Sequence, residues 1–285
     1  MESTLRTTIL LAALTGLILA IGGALGGQQG MAMALAFAAA TNFFGYWFSD
    51  QVVLKSYRAR PVGPDELPEL HALVESLATK AGLPVTPALY ILPSDGMNAF
   101  ATGRSPRHAA VAVTEGLLQR LDRREIEGVL AHELAHVRNR DILTGTIAAT
   151  LAGAIMMLAN LARFGAMFHG ADGRDDEGGG PLALIVTIFL APVAASIIQL
   201  AISRGREYEA DATGARTTGD PLGLASALSR LESVQQRAPV GAGQASAHLF
   251  IVNPLRGASF SRLFSTHPPT EERIRRLREM AGATA

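Results

Sequence analysis

Long uncharged apolar runs along this chain alternate with stretches in which apolar residues recur at helical spacing. No Asp, Glu, Lys or Arg falls between Arg6 and Asp50, none between Asp141 and Arg163, and none between Glu177 and Arg204. As a helix, Ile142 to Ala162 reaches roughly 31 Å, about the thickness of a bilayer's hydrocarbon core. Pro181 to Ser203 is similar in length, and Pro192 within it predicts a kink rather than a break. The first run is too long for one crossing, and the glycine-rich stretch Gly22 to Gly30 divides it. The pattern predicts four spans, at about 8–25, 31–48, 142–162 and 181–203, paired as hairpins within 1–50 and 142–203.

The remaining stretches, 51–141 and 204–285, are each small for a stable domain, which predicts one shared water-facing body. Leu67, Leu70, Leu73, Val74 and Leu77 mark a helix over Asp65 to Ala81. Ala88 to Leu92, Asn98 to Thr102 and Ala109 to Val113 read as short strands of a small sheet. Asp122-Arg123-Arg124-Glu125 reads as a capping box opening a helix from about Arg123 to at least Arg140, with Ile126, Val129, Leu130, Leu134 and Val137 on its apolar face. Further helices are predicted over Arg204 to Arg216, Pro221 to Gln236 and Thr270 to Met280. Pro239 to Gly257 reads either as a flap or as a loop that skims a bilayer. The fold class expected is a mainly α membrane protein carrying an α+β body.

Composition supports this division: 48% of the 285 residues are hydrophobic and 18% charged, apolar for a soluble chain of this length. Lys and Arg flank the spans on one side, at Arg6, Lys55, Arg58, Arg60, Arg138, Arg140, Arg204 and Arg206. The tip between the last two spans carries Asp172, Asp175, Asp176 and Glu177. By the positive-inside rule the termini and the body are cytoplasmic, in a multi-pass cell (inner) membrane protein. Arg163 opposes this mildly and is expected to snorkel. Residues 8 to 21 also resemble a signal-peptide core, although one Arg beside Glu2 makes a weak basic flank. Cysteine is absent, which excludes disulfides and thiolate metal ligands. A net charge of zero with no basic stripe or aromatic platform excludes a nucleic-acid partner.

The candidate chemistry lies in His132-Glu133-Leu134-Ala135-His136. On a helix, histidines four apart leave one face about 5–6 Å apart, which suits two ligands of one tetrahedral zinc. Glu133 beside the first of them is placed to act as general base toward water at the metal. A catalytic zinc needs a third protein ligand, and without cysteine it must be His, Asp or Glu. Glu207, Glu209 and Asp211 are the candidates. Glu207 and Asp211 share a helix face while Glu209 points away, so one of the pair can bind metal as the other orients a ligand histidine. Tyr208 is turned aside. His71, His108, His169 and His248 lack partner spacing and read as solvated.

The His132–His136 motif, the downstream Glu207-Tyr208-Glu209-Ala210-Asp211 and the four spans in this order together resemble the HtpX family of bacterial membrane-integral heat-shock metalloproteases. That gluzincin group also contains the eukaryotic CAAX prenyl endoprotease, whose chamber of seven helices this chain does not match. The resemblance covers essentially the whole chain and implies a zincin-like body. It implies one Zn(2+) on His132, His136 and Glu207, Glu133 as base, and Asp211 as support for a ligand histidine. It implies that Asn98, Ala99 and Phe100 belong to an edge strand that pairs with extended substrate. It also implies that His267, in Ser265-Thr266-His267-Pro268-Pro269, approaches the scissile carbonyl, against a local reading as a cap or turn residue. The activity implied is zinc-dependent endoproteolysis of membrane proteins or misfolded polypeptides in envelope quality control and stress response. A zinc-stabilised membrane scaffold or holdase is the alternative. The bilayer is the expected surroundings, and the sequence identifies no protease partner in it.

Overall fold

Helical backbone runs through Glu2–Ser56 (α1), yet the chain doubles back within it. In the computed structural model, which describes residues 2–144, 147, 204–237 and 268–283, Gly27 has φ +55. Glycine adopts that left-handed conformation without a Cβ penalty. Asn42 Nδ2 donates to Thr15 Oγ1 at 2.9 Å, two residues that a straight helix would hold roughly 40 Å apart. The Thr15 hydroxyl donates onward to Leu11 O at 2.8 Å, which links the two arms through a short hydrogen-bond chain. Among the described residues, the arm Gly27–Ser56 is long and apolar enough to cross a membrane. It leaves Met33, Leu35, Phe43 and Phe44 more than half exposed. Apart from residues 142–144 and 147, the predicted spans at 142–162 and 181–203 lie outside the described residues, as does the 239–257 segment.

The body follows as β1 (Arg60–Pro61), α2 (Pro68–Lys80), β2 (Ala88–Leu92), β3 (Ala99–Gly103), β4 (Ala109–Thr114), α3 (Glu115–Arg120) and α4 (Arg123–Arg138). After the intervening chain come α5 (Arg204–Thr218), α6 (Pro221–Arg237) and α7 (Thr270–Ala283). The sheet is mixed, in the order β1-β2-β4-β3. β2 and β4 run parallel, and β1 and β3 are antiparallel edges. β1 has two residues, too few for a periodic signal, and α3 is a single short helix capped by the Thr114 side chain. β3 starts at Ala99 because Asn98 is clamped by Thr114. Asn98 O accepts the Thr114 N–H and hydroxyl, and Asn98 N–H donates back to Thr114 Oγ1 at 2.9 Å.

Two apolar layers hold the sheet. On one side, Val111 and Val113 pack with Leu77, Leu117, Val129, Leu130, Leu134, Leu224, Leu228 and Leu277 in one buried cluster. On the other, Phe100, Ala110, Ala112 and Leu92 pack with Val53 and Leu54 from the end of α1, and the Tyr57 and Phe100 rings lie 5.5 Å apart. The apolar helix and the sheet thus share a core, which fixes the body against the end of α1.

Both ends of α4 are specified. Asp122 accepts the Glu125 N–H at 2.9 Å while Glu125 accepts the Asp122 N–H at 3.0 Å, a capping box that satisfies two donors otherwise orphaned. Gly128 lets α6 press close, since a Cβ there would meet Leu224 N at 2.6 Å. At the far end Arg140 takes φ +61. Asp141 N–H then donates to His136 O and Arg140 N–H to Val137 O, the Schellman pattern of helix termination. That turn returns Asp141 to the side of the helix carrying His136.

Candidate metal centre

α4 presents His132 and His136 on one face, four residues apart, with ring centroids at 4.8 Å and planes at 89°. Opposite them α5 supplies Glu207, whose Oε1 lies 3.5 Å from His136 Nε2 and whose Oε2 lies 3.8 Å from His132 Nε2. One donor atom from each of the three falls within 4.8 Å of the others. The helices approach this closely because Gly214 faces α4, where a Cβ would stand 2.9 Å from His132 N. His132 and Glu207 are buried and His136 is partly buried.

The histidines are oriented from behind. His132 Nδ1 lies 2.9 Å from Asp211 Oδ1, an ion-pair distance rather than an aligned hydrogen bond. His136 Nδ1 lies 3.4 Å from Asp141 Oδ2. Carboxylates there favour the Nδ1–H tautomer in both rings, leaving both Nε2 lone pairs facing inward. These nitrogens are 3.3 Å apart, a spacing at which two bare lone pairs repel unless a cation lies between them. Ligands about 2.05 Å from a tetrahedral divalent ion stand about 3.3 Å apart, so the donor set fits such an ion. The nearest protein cation is Arg273, whose Nη2 lies 3.4 Å from His132 Nε2. Burial pushes the His136 pKa down, but the Asp141 hydrogen bond and the Glu207 and Glu133 charges outweigh it and lift it to about 9.

α7 contributes a residue that sequence reasoning missed. Arg273 is 1% exposed and grips Asp211 with Nε to Oδ2 at 2.8 Å and Nη2 to Oδ1 at 2.7 Å. Its Nη1 lies 3.6 Å from Glu207 Oε2. This is the two-pronged match of guanidinium to carboxylate. Burial pushes the Asp211 pKa up, but the Arg273 charge and hydrogen bonds, with His132, bring it down to about 2. Asp141, also missed, pairs with Arg206 Nη1 at 3.2 Å. The signal for Arg273 was its place on the buried face of α7, in step with Thr270 and Leu277.

Glu133 lies between this cluster and the sheet. Its Oε2 accepts the Ala101 N–H of β3 at 2.9 Å. Burial raises its pKa, against the lowering effect of His132 and His136. In an antiparallel pair alternate residues turn both backbone groups to the partner. Asn98 O faces β4 and Ala101 N–H faces away, so Ala99, Ala101 and Gly103 direct their backbone groups to the outer edge.

Asn98, Ala99 and Phe100 are all buried, and the Phe100 side chain is committed to the core against α1. Glu209 is exposed, and Tyr208 is turned aside with Arg276 stacked 3.7 Å over its ring. His267 lies outside the described residues, with His169 and His248. His71 is held rather than merely solvated, its Nε2 2.7 Å from Val62 O, because β1 brings that carbonyl over α2.

The profile of peptidase family M48 matches residues 64–281. The chain belongs to peptidase family M48. This M48 member is 57% identical over 279 residues to "Protease HtpX homolog" of Desulforapulum autotrophicum, covering 98% of the chain and 90% of that relative. It is 57% identical over 277 residues to the protein of that name from Pyrococcus furiosus, covering 97% and 95%. With the Syntrophobacter fumaroxidans protein of that name it shares 55% identity over 283 residues, covering 98% and 100%. The crystal structure of S. mikatae Ste24p matches its fold with a TM-score of 0.54 at 18% identity, over 97% of this chain. The chain spans 65% of that structure's length. Membership makes the chain a metallopeptidase, and His132, His136 and Glu207 form a group among the described residues that could hold a metal ion.

Proposed function

We propose that the chain is a membrane-bound zinc endopeptidase that cuts membrane proteins, or their cytoplasmic segments, in envelope quality control and stress response. One observation carries this reading: two histidine lone pairs 3.3 Å apart face Glu207, with the buried carboxylate of Glu133 one residue from the first histidine. His132, His136 and Glu207 would hold zinc, which would supply Lewis acidity toward a carbonyl and toward water. Among the described residues three protein donors converge there, which supports a catalytic centre with an open position over a structural scaffold site.

Glu133 takes a proton from the attacking water and passes it to the leaving amine. The Ala101 N–H steadies the ionised carboxylate, while burial raises its proton affinity. Asp211 and Asp141 hold the histidine rings, and Arg273 holds Asp211. An extended peptide pairs with the outward backbone groups of Ala99 and Gly103 and with the Ala101 carbonyl, so of Asn98, Ala99 and Phe100 it is Ala99 that meets the peptide through its backbone. His267 would serve an oxyanion, as the resemblance implies.

The membrane setting has its own support. Two arms within 1–50 lie side by side, and Ile142–Thr144 resume helical backbone just beyond Asp141. The apposition of α4 and α5 supports one body made of 51–141 and 204–285, with spans at 142–162 and 181–203 inserted between. The Lys and Arg distribution supports a cytoplasmic site on a multi-pass cell-membrane protein.

Glu133→Gln tests the chemistry. Purified variant should bind one zinc per chain and cleave neither casein nor a membrane substrate. Cleavage at the wild-type rate would end the proposal.

A further inference from the structure

A cavity of about 680 Å³ opens where the two arms of α1 meet the loop after β3 and the end of α4. It is lined by Arg104, Arg107, Arg138 and Arg140, with Leu11 and Tyr46 from the two arms of α1. No carboxylate is among its lining residues, and no ion pair among the described residues engages any of the four arginines. Arg104 stacks its guanidinium 5.0 Å over the Trp47 ring. Arg140 is presented by the left-handed turn that ends α4.

The cavity's height relative to a bilayer follows from the helix. Trp47 is about 30 Å along the arm from the turn at Gly27, the thickness of a hydrocarbon core. Tyr46, Trp47 and Phe48 are each more than a third exposed, as an aromatic belt at a membrane surface requires. Leu11 stands level with Tyr46, given the Thr15–Asn42 contact one turn farther in. Four arginines with no ion pair among the described residues therefore surround a space at headgroup level, open beside apolar side chains that face acyl chains.

We propose that this cavity is a binding site for the phosphodiester headgroup of an anionic phospholipid, which the arginines grip while the acyl chains lie along α1. The proposal rests on the membrane reading given above but not on the protease chemistry. An anionic headgroup matches the charge, and Arg is suited to forked contacts with phosphate oxygens. Basic pockets between membrane helices near the cytoplasmic face are settings in which such lipids bind. Arg138 and Arg140 follow His136 on the same helix and turn, so an occupied pocket would fix α4 at the bilayer surface.

Trp47 is the chain's single tryptophan and carries Arg104, which lines the cavity, over its ring, so its emission reports on that arginine's surroundings. The full chain in phosphatidylcholine nanodiscs, with and without phosphatidylglycerol, should show an emission change and retained lipid by native mass spectrometry only with phosphatidylglycerol. Arg104→Gln/Arg107→Gln and Arg138→Gln/Arg140→Gln should each weaken that preference, by about fivefold per arginine removed, with melting temperature and metal content measured as controls. Equal responses to the two lipids in the wild-type chain overturn the proposal whether or not the variants fold. An equal response to inorganic phosphate or to an acidic peptide in phosphatidylcholine discs overturns it in favour of a soluble ligand. Glu133→Gln should keep the wild-type lipid response. Loss of the protease reading and loss of this site therefore register in different measurements, and failure of the chain to float with vesicles would count against the membrane reading itself.

Discussion

Replacing Arg273 with Met should expose how much the metal centre depends on one cation from α7. Met occupies a similar space, so the packing of α7 is largely kept and the change isolates charge and hydrogen bonding. Asp211 then loses bonds of 2.8 and 2.7 Å, and Glu207 loses a positive group at 3.6 Å. Removing one partner of a buried pair costs about 3–5 kcal/mol. At about 2–4 °C per kcal/mol for a body of this size, the melting temperature should fall by roughly 10 °C. A divalent ion in the centre compensates the same carboxylates, so the full drop belongs to chelated protein and a smaller one to metal-loaded protein. Arg273→Lys keeps the charge without the planar fork and should fall between them.

The pH dependence has a definite sign. Asp211 is held at about 2, below its ordinary 3.8. Its contribution is present above about pH 4 and lost as pH falls through 2. Without Arg273 that loss should begin at higher pH. Thermal unfolding in detergent, with and without chelator, measures both effects. Melting of the chelated Met variant within about 2 °C of wild type would refute the reasoning.

The remaining predictions concern the same centre. His136, lifted to about 9 from 6.5, must release a proton for metal to bind. Apparent metal affinity, measured by competition with a chelating dye, should therefore rise with pH and level off near pH 9. In metal-free protein the same proton contributes stability present below pH 6.5 and lost as pH rises through 9. Gly214→Ala puts a Cβ 2.9 Å from His132 N; over-packing of about 1–3 kcal/mol should separate α5 from α4, seen as a lower melting temperature together with weaker metal binding. Ala101→Pro removes the N–H given to Glu133 on an outward edge position, where proline is tolerated. The Glu133 pKa should rise further, and the acid limb of kcat/KM should move to higher pH while thermal stability changes little.

Legibility in the sequence followed the range of the interactions. His132, Glu133 and His136 are legible because their geometry is that of one helix turn, and the capping box at Asp122 and Glu125 announces that helix. Glu207 and Asp211 are legible as a pair for the same reason, although only packing brings them to the histidines. Arg273 is hidden in Glu271-Glu272-Arg273-Ile274-Arg275-Arg276, where a charge run reads as a solvated face, and its partner stands on another helix. Asp141 reads as the last polar residue before an apolar run. It reaches His136 only because Arg140 adopts a left-handed turn, which favours glycine or asparagine and which an arginine does not signal. β1 is too short for any periodicity to mark, and its position depends on pairing with β2.

The bond from Ala101 to Glu133 also bears on solubility. An edge strand offers a row of unpaired backbone groups to any passing strand, and β3 is such an edge. Glu133 occupies the middle of that row with a buried carboxyl group bonded to Ala101 N–H, at the point where a second sheet would have to zip on. The residue proposed as general base thus also interrupts the strand's outer edge, where a neighbour's sheet would find no continuous template.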